Sequence, residues 1–171
     1  SVWITPIAVE KIAAAVGELP KLFTSTSPES LLTYLSVTLT WASGKTETLT
    51  ADRYTVSLPP SLQAGSNAFT VSASLYGKLY TATVTVNAAQ VVATGIEVEF
   101  EQGGTAVYPT TTVASYPEVF GDGLKVWLNY NDGSRVRLHN YTLIAKTGTS
   151  GVQPGMLDVD IVYGEYKDTI S

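Results

Sequence analysis

The chain has 171 residues, no cysteine, 15% charged residues and a formal net charge of −5. These values exclude a disulfide framework and thiolate metal sites, and they leave no basic surface for nucleic acid. The apolar runs fall short of the roughly 18 residues that a membrane helix needs, so we expect no membrane insertion.

Abundant Thr, Val, Ser, Tyr and Gly residues predict an all-β fold, although the first segment is irregular. The run 12–16 (IAAAV) is compatible with a short helix, but its counterpart 89 positions later contains Gly103-Gly104. We therefore expect a strand followed by a turn in both places. The same alignment sets Lys11 against Phe100, which predicts that Lys11 points inward.

A β-hairpin with alternating apolar residues comes next, and it recurs 89 positions later. In the first copy, strand 37–41 leads into Ser43-Gly44 and a returning strand. In the second copy, strand 126–130 leads into Asp132-Gly133 and a returning strand. Asp-Gly is a strong hairpin signal, because glycine adopts positive φ without steric cost. The pattern predicts the same hairpin twice.

Later positions of the two copies also match, after a slip of two residues in the intervening loop. The pairs expected to be equivalent are Leu49 with Leu138, Tyr54 with Tyr141, and Tyr76 with Tyr163. Each copy is predicted to close with a hairpin that turns at Gly77 or at Gly164.

A repeat of nearly 90 residues is a whole small domain, so the sequence predicts two domains. Copy 1 is expected over 1–87 and copy 2 over 91–171, with a short linker near 87–90. Copy 1 continues past the point where copy 2 stops, so we expect the last strand of copy 2 to be cut short. We therefore interpret the chain as a piece of a longer protein. Ten of the fifteen acidic residues, but only five of the ten basic ones, lie in 88–171.

Three motifs of copy 2 carry a family resemblance. The segment 124–134, the strand that begins at Tyr141, and the closing hairpin 159–166 resemble bacterial Ig-like (Big) domains. Copy 1 follows the same outline, but it lacks Asp-Gly and carries an insertion-like segment at 31–35. The resemblance implies two tandem Ig-like antiparallel β-sandwiches. It also implies a cell-surface, secreted or virion-borne module used as a stalk or adhesin.

The sequence offers little for catalysis or metal binding. His139 is the single histidine and aligns with Thr50, with no evident base or nucleophile beside it, so we expect a solvated loop residue and no catalytic site. Asp158, Asp160 and Asp168 are the strongest candidates for a calcium site, yet strand carboxylates more often form a solvated surface. The sequence predicts no metal and no cofactor.

One aromatic residue of copy 2 is a candidate for ligand contact. Trp127 matches Thr38 and alternates with inward residues, so it should lie on the outer face of its sheet. The residues expected to share that face are Lys125, Asn129, Arg135 and Arg137. This face is expected either to contact a ligand or the other copy, or to be covered by the aliphatic stems of its neighbours. Trp41 and Tyr130, by contrast, are expected in the cores.

The predicted function is non-catalytic: a spacer, stalk or adhesive element of a larger exported bacterial surface protein or phage virion protein. The expected partners are neighbouring domains of the same polypeptide and, for an adhesin, a host protein or surface glycan. Two alternatives stay open. One is a carbohydrate- or protein-binding module that uses the outer face of copy 2. The other is an accessory domain of a surface polysaccharide-degrading enzyme.

Overall fold

The computed structural model describes residues 8–100, 123–145 and 159–170, where the chain forms strands, turns and two short 3₁₀ helices. The all-β prediction is confirmed. The chain divides into two compact units, Ser1–Val91 and Val92–Ser171, which we call unit 1 and unit 2. No helix in the described ranges has the length and apolar character that crossing a membrane requires.

Unit 1 contains a three-stranded and a four-stranded sheet. Its strands are β1 (Val9–Val16), β2 (Leu22–Phe23), β3 (Leu35–Trp41), β4 (Thr46–Thr48), β5 (Thr55–Ser57), β6 (Gly65–Leu75) and β7 (Lys78–Ala89). The sheet orders are β1-β3-β4 and β2-β7-β6-β5, and β2 pairs with β7 in parallel. The 3₁₀ helices span Pro28–Tyr34 and Ala51–Arg53, and the first of them contains most of the insertion-like segment.

The core of unit 1 lies between its two sheets. Val37 and Leu39 of β3 alternate with outward threonines, and Phe69 and Val71 of β6 alternate in the same way. All four side chains are almost fully buried, in one cluster to which both sheets contribute. Burying such a side chain contributes about 1.5–3 kcal/mol. Alternation therefore makes each sheet apolar on one face, and the two apolar faces pack as a sandwich.

Unit 2 has the same kind of core with fewer described residues. Its strands are β8 (Ala93–Phe100), β9 (Leu124–Tyr130), β10 (Arg135–Leu138), β11 (Thr142–Ala145), β12 (Val159–Tyr163) and β13 (Tyr166–Ile170). They form the sheets β10-β9-β8 and β11-β12-β13. Val126 and Leu128 of β9 pack with Ile161 of β12, so both sheets contribute to this core.

The hairpins β3–β4 and β9–β10 are built alike, which confirms this part of the repeat. The matching backbone bonds run from Trp41 N–H to Lys45 O and from Tyr130 N–H to Ser134 O, both 2.9 Å. Gly44 and Gly133 occupy the same turn position with φ of 84° and 85°, the left-handed region that favours glycine. Leu49 and Leu138, which follow the hairpins, are both buried.

The gap-free alignment of the first strands is wrong. Ile12 pairs with Leu39, and Ile96 pairs with Leu128. Because Leu39 and Leu128 are equivalent, Ile12 corresponds to Ile96, which lies 84 rather than 89 positions later. Lys11 is exposed instead of inward. The alanine-rich run belongs to β1, so neither the expected turn nor the helix is present there, because pairing with β3 outweighs local propensity.

Both first strands carry a bulge to which a tyrosine is hydrogen-bonded. The register slips just after Val9 in β1 and just after Ala93 in β8. Tyr80 Oη donates to the Val9 carbonyl at 3.3 Å, and Tyr166 Oη donates to the Ala93 carbonyl at 3.0 Å. The two units therefore share a long-range tie between the closing hairpin and the first strand.

The closing hairpins differ in length, so the pairing of Tyr76 with Tyr163 is wrong. Tyr80 and Tyr166 are the true equivalents, and β6–β7 continues beyond Tyr80 for two more residue pairs. The connection in unit 1 is Tyr76-Gly77, whereas unit 2 turns at Gly164-Glu165. Tyr163 packs against the core from its strand, while Tyr76 lies at an exposed tip.

The predicted linker is largely strand. Residues 87–89 form the end of β7, because Asn87 and Ala88 pair with the start of β6. Residues 90–92 alone separate β7 from β8, and the division between the units falls between Val91 and Val92.

Candidate binding surfaces

The outer face of the β10-β9-β8 sheet carries the residues that the sequence pattern indicates as a contact face. Cross-strand partners share a face, and Arg137 pairs with Trp127 while Arg135 pairs with Asn129. Lys125 precedes Trp127 by two positions and so points the same way. The register brings all five residues to one face.

One face of the Trp127 ring is covered by its neighbours. The guanidinium carbon of Arg135 lies 4.2 Å from the ring centroid, within cation–π distance. Arg135 is held there by Glu99 at 2.8 Å, with Glu97 at 3.9 Å. Glu97 also accepts a hydrogen bond from Asn129 Nδ2 at 3.3 Å. Most of these residues therefore bind one another, and a ligand that stacks on this side of the ring has to displace Arg135.

Arg135 and Glu99 offset each other's charge on this face. The Arg135 guanidinium, and in second place the Trp127 indole N–H, hold the pKa of the Glu99 carboxyl below its usual range. The indole N–H lies near that carboxylate without reaching hydrogen-bond geometry, and Arg137 Nε is also buried without a partner among the described residues. Arg137 donates through Nη2 to the Leu124 carbonyl at 3.4 Å. The side chains are thus held by packing as much as by hydrogen bonds.

The acidic residues of the closing hairpin of unit 2 do not converge. The register of β12 and β13 points Asp160 and Asp168 to opposite faces. Asp168 Oδ2 accepts the Val98 N–H at 3.0 Å, and Asp160 Oδ1 accepts the Thr169 hydroxyl at 2.7 Å. Asp158 lies outside the described residues. Within the described ranges, no group of three His, Cys, Asp or Glu side chains is arranged to hold a metal ion.

Three further residues from the sequence pattern have structural positions. His139 is exposed in the loop after β10. Trp41 and Tyr130 are partly buried and pack against the cores of unit 1 and unit 2. None of these positions brings a nucleophile and a base together.

Unit 1 contains a groove that is not among the sites predicted from the sequence. It has a volume of about 540 Å³ and lies beside the tip of the β6–β7 hairpin. Its lining combines a carboxylate, a guanidinium, hydroxyls, two aromatic rings and aliphatic side chains, including Asp52, Arg53, Tyr54, Ser72, Ser74, Tyr76 and Leu79. The volume is within the range of small-ligand sites, about 300–1,000 Å³.

Strand lengths create this groove. β5 begins at Thr55, whose partner on β6 is Ser72, while β6 continues to Leu75. The hairpin therefore projects beyond its neighbouring strand, and residues 52–54 flank the projection. In unit 2 the strand equivalent to β6 ends one residue after its last pair with β11, at Tyr163.

Tyr76 forms the tip of the projection in an unusual backbone conformation. Tyr76 and Gly77 have φ of 51° and 75°, so both residues of the two-residue turn are left-handed, as in a type I′ turn. A residue with a side chain loses about 1–2 kcal/mol there relative to its ordinary conformations. The Tyr76 ring lies 5.7 Å from that of Trp41 at an interplanar angle of 52°, yet the residue is 75% exposed. Leu79 beside it is 62% exposed.

A signal for this surface was present in the sequence. Tyr-Gly between two alternating strands fits a two-residue connection, which places the aromatic side chain at an exposed tip instead of in a core. Ser72 and Ser74 alternate with buried residues and so face outward beneath that tip.

No protein-family model matches the sequence, and no curated protein shows significant similarity to it.

Proposed function

We propose that the chain is a pair of Ig-like structural modules of the Big type, serving as a spacer or stalk within a larger exported bacterial surface protein or phage virion protein. Its partners in this role are the neighbouring domains of the same polypeptide. The observation that carries the proposal is the repeated framework of the two units. Both have the same hairpin turn, a bulged first strand and a tyrosine hydrogen-bonded at the bulge.

The framework supports a mechanical role, because the features that both units share are those that stabilise the fold. The Tyr80 and Tyr166 hydroxyls each join residues more than 70 positions apart in sequence. Such ties stabilise a sandwich against separation of its first and last strands. Surface residues diverge instead: Trp127 of unit 2 stands where unit 1 has Thr38.

Assignment to the Big group relies on the sequence motifs and the sandwich architecture. Pairing of β3 with β4, the next strand in the chain, differs from constant-type immunoglobulin domains, whose larger sheet joins strands A, B, E and D. The strand order therefore differs from that of constant-type domains.

Single-molecule stretching of the full chain tests the spacer function. Each unit should unfold in its own step and release on the order of 30 nm, because an extended residue spans about 0.35 nm. The Tyr166→Phe variant should lower the unfolding force of one step and leave the other unchanged. A single step of about twice that length would contradict two independent load-bearing modules.

The outer face of unit 2 supports a binding function less well. The Trp127 ring is flanked by Arg135, which is itself paired with Glu99. A glycan or host protein bound there would leave Glu99 without its cation. If this face is nonetheless the functional one, Trp127→Ala should abolish ligand binding by the full chain, and Arg135→Ala should strengthen it by uncovering the ring.

A further inference from the structure

We propose that the groove beside the β6–β7 hairpin of unit 1 binds a neutral, hydroxyl-rich oligosaccharide, with the Tyr76 ring as the stacking platform. This binding function is additional to the spacer role and independent of it. The site includes the part of the hairpin, residues 74–79, that extends beyond the corresponding hairpin of unit 2.

The aromatic platform is exposed and held in place. Tyr76 occupies a left-handed backbone position, and its ring packs against Trp41 at 5.7 Å. A polar residue such as asparagine fits that turn position with less strain and without exposing an aromatic ring to water. The structure thus maintains a costly exposed ring at a fixed place. The apolar C–H face of a sugar ring is a suitable partner for an exposed tyrosine face.

The polar groups around Tyr76 suit a ligand with many hydroxyls. Ser72 and Ser74 each offer one donor and two acceptor lone pairs on the outer face of β6. Asp52, in the 3₁₀ helix Ala51–Arg53, adds carboxylate acceptors to the lining. A sugar hydroxyl both donates and accepts, so it can pair with all of these groups, while an apolar ligand would leave them unsatisfied.

The charges favour a neutral sugar over an acidic one. Arg53 lines the groove, but its Nη1 forms a salt bridge with Glu47 at 2.9 Å, so this cation already has a carboxylate partner. A hydrogen bond from the Thr50 side chain, and in second place its own backbone N–H, hold the pKa of the Asp52 carboxyl below its usual range. Asp52 is therefore ionised at neutral pH and repels a uronate or sialate.

The free edge of β6 fits a peptide less well. Strand addition uses a run of backbone N–H and C=O groups along an edge. Here β6 extends past β5 only from Ala73 to Leu75. The hydrogen-bonding capacity of the groove lies in its side chains instead, which favours the oligosaccharide.

Isothermal titration of the full chain with malto-, cello-, xylo- and manno-oligosaccharides tests the proposal, with oligogalacturonate as the acidic comparator. At least one neutral oligosaccharide should bind at millimolar or lower concentration. Tyr76→Asn should weaken that binding about tenfold or more, because it removes the stacking face. Tyr76→Phe should retain the affinity of the original chain.

Tyr76→Asn also separates binding from folding. Because asparagine tolerates the left-handed turn, the melting temperature of unit 1 should stay the same or rise. Trp127→Ala, in unit 2, should leave affinity unchanged. The proposal is overturned if no neutral oligosaccharide binds, if oligogalacturonate binds more tightly, or if an unstructured peptide displaces the sugar. It is also overturned if Tyr76→Asn binds as well as the original chain, or if Trp127→Ala abolishes binding.

Discussion

Replacing Leu39 with alanine should destabilise unit 1 and leave unit 2 unaffected. Leu39 is fully buried at the centre of β3, between β1 and β4. Large-to-small substitutions at such sites lose both transfer free energy and packing around the cavity, so we expect a loss of about 3 kcal/mol. In a domain of this size, each kcal/mol lowers the melting temperature by about 4–8 °C. The transition of unit 1 should therefore fall by roughly 12–24 °C.

Differential scanning calorimetry of the full chain measures the melting temperature of each unit. The buried clusters of the two units contain no shared residues, so we expect two separate transitions. Leu128→Ala is the matched variant: Leu128 occupies the equivalent position and is 7% exposed. It should lower the other transition by a similar or smaller amount. If Leu39→Ala moved both transitions together, the units would be thermodynamically coupled and the modular interpretation would be refuted.

Three smaller predictions concern unit 2: the hydrogen bond of its tyrosine, its hairpin turn and its outer face. Tyr166→Phe removes the 3.0 Å hydrogen bond to Ala93 and should cost about 1 kcal/mol in urea unfolding, so an unchanged midpoint would count against the tie. Gly133→Ala should cost about 1–2 kcal/mol from backbone strain, since no atom of the described residues lies within 4 Å of the added Cβ. Gly133→Asn should cost less, and equal losses would point to a clash. The pKa of Glu99 is lowered in the folded state, so its pairing with Arg135 stabilises the fold at pH values above the pKa of the unfolded state. This stabilisation is lost as the pH falls through the folded-state pKa. Arg135→Ala should therefore raise the carboxyl pKa in an NMR titration, and an unmoved titration would contradict the pairing.

The sequence predicts the hairpins correctly because their determinants are local. The alternation that ends at Trp41 or Tyr130 sets which side chains point inward. The glycine three residues later then fixes where the chain reverses. Neither inference needs knowledge of a distant strand. The buried leucines Leu49 and Leu138 follow from the same local register.

The register of the first strands depends on pairing between residues far apart in sequence, and there the prediction is wrong. The correct offset differs from the assumed one by five, an odd number, so the assumed alignment reversed which residues of β1 face inward. That alignment predicts Lys11 inside, whereas Lys11 is exposed and Ile12 is buried. The bulge after Val9 adds a further irregularity that alternation alone cannot indicate.

The outer face of unit 2 is predicted only in part. Alternation places Trp127 on that face, but the carboxylate partners of Arg135 come from β8, whose register depends on pairing with a distant strand. The groove of unit 1 depends on how far the β6–β7 hairpin extends past β5. An alignment of Tyr76 with Tyr163 does not show this difference in length.

The sequence favours recognition by unit 2, because Trp127 and its polar neighbours are expected on an outer face of that copy. The structure weakens that inference, because Arg135 is paired with Glu99 and Asp168 accepts a backbone N–H. Surface groups that already pair with one another gain little free energy by pairing with a ligand instead. An aromatic ring held in a left-handed turn is different, because its contact with Trp41 still leaves Tyr76 75% exposed to solvent. By this reasoning, Tyr76 of unit 1 is a better guide to recognition than the more numerous charges of unit 2.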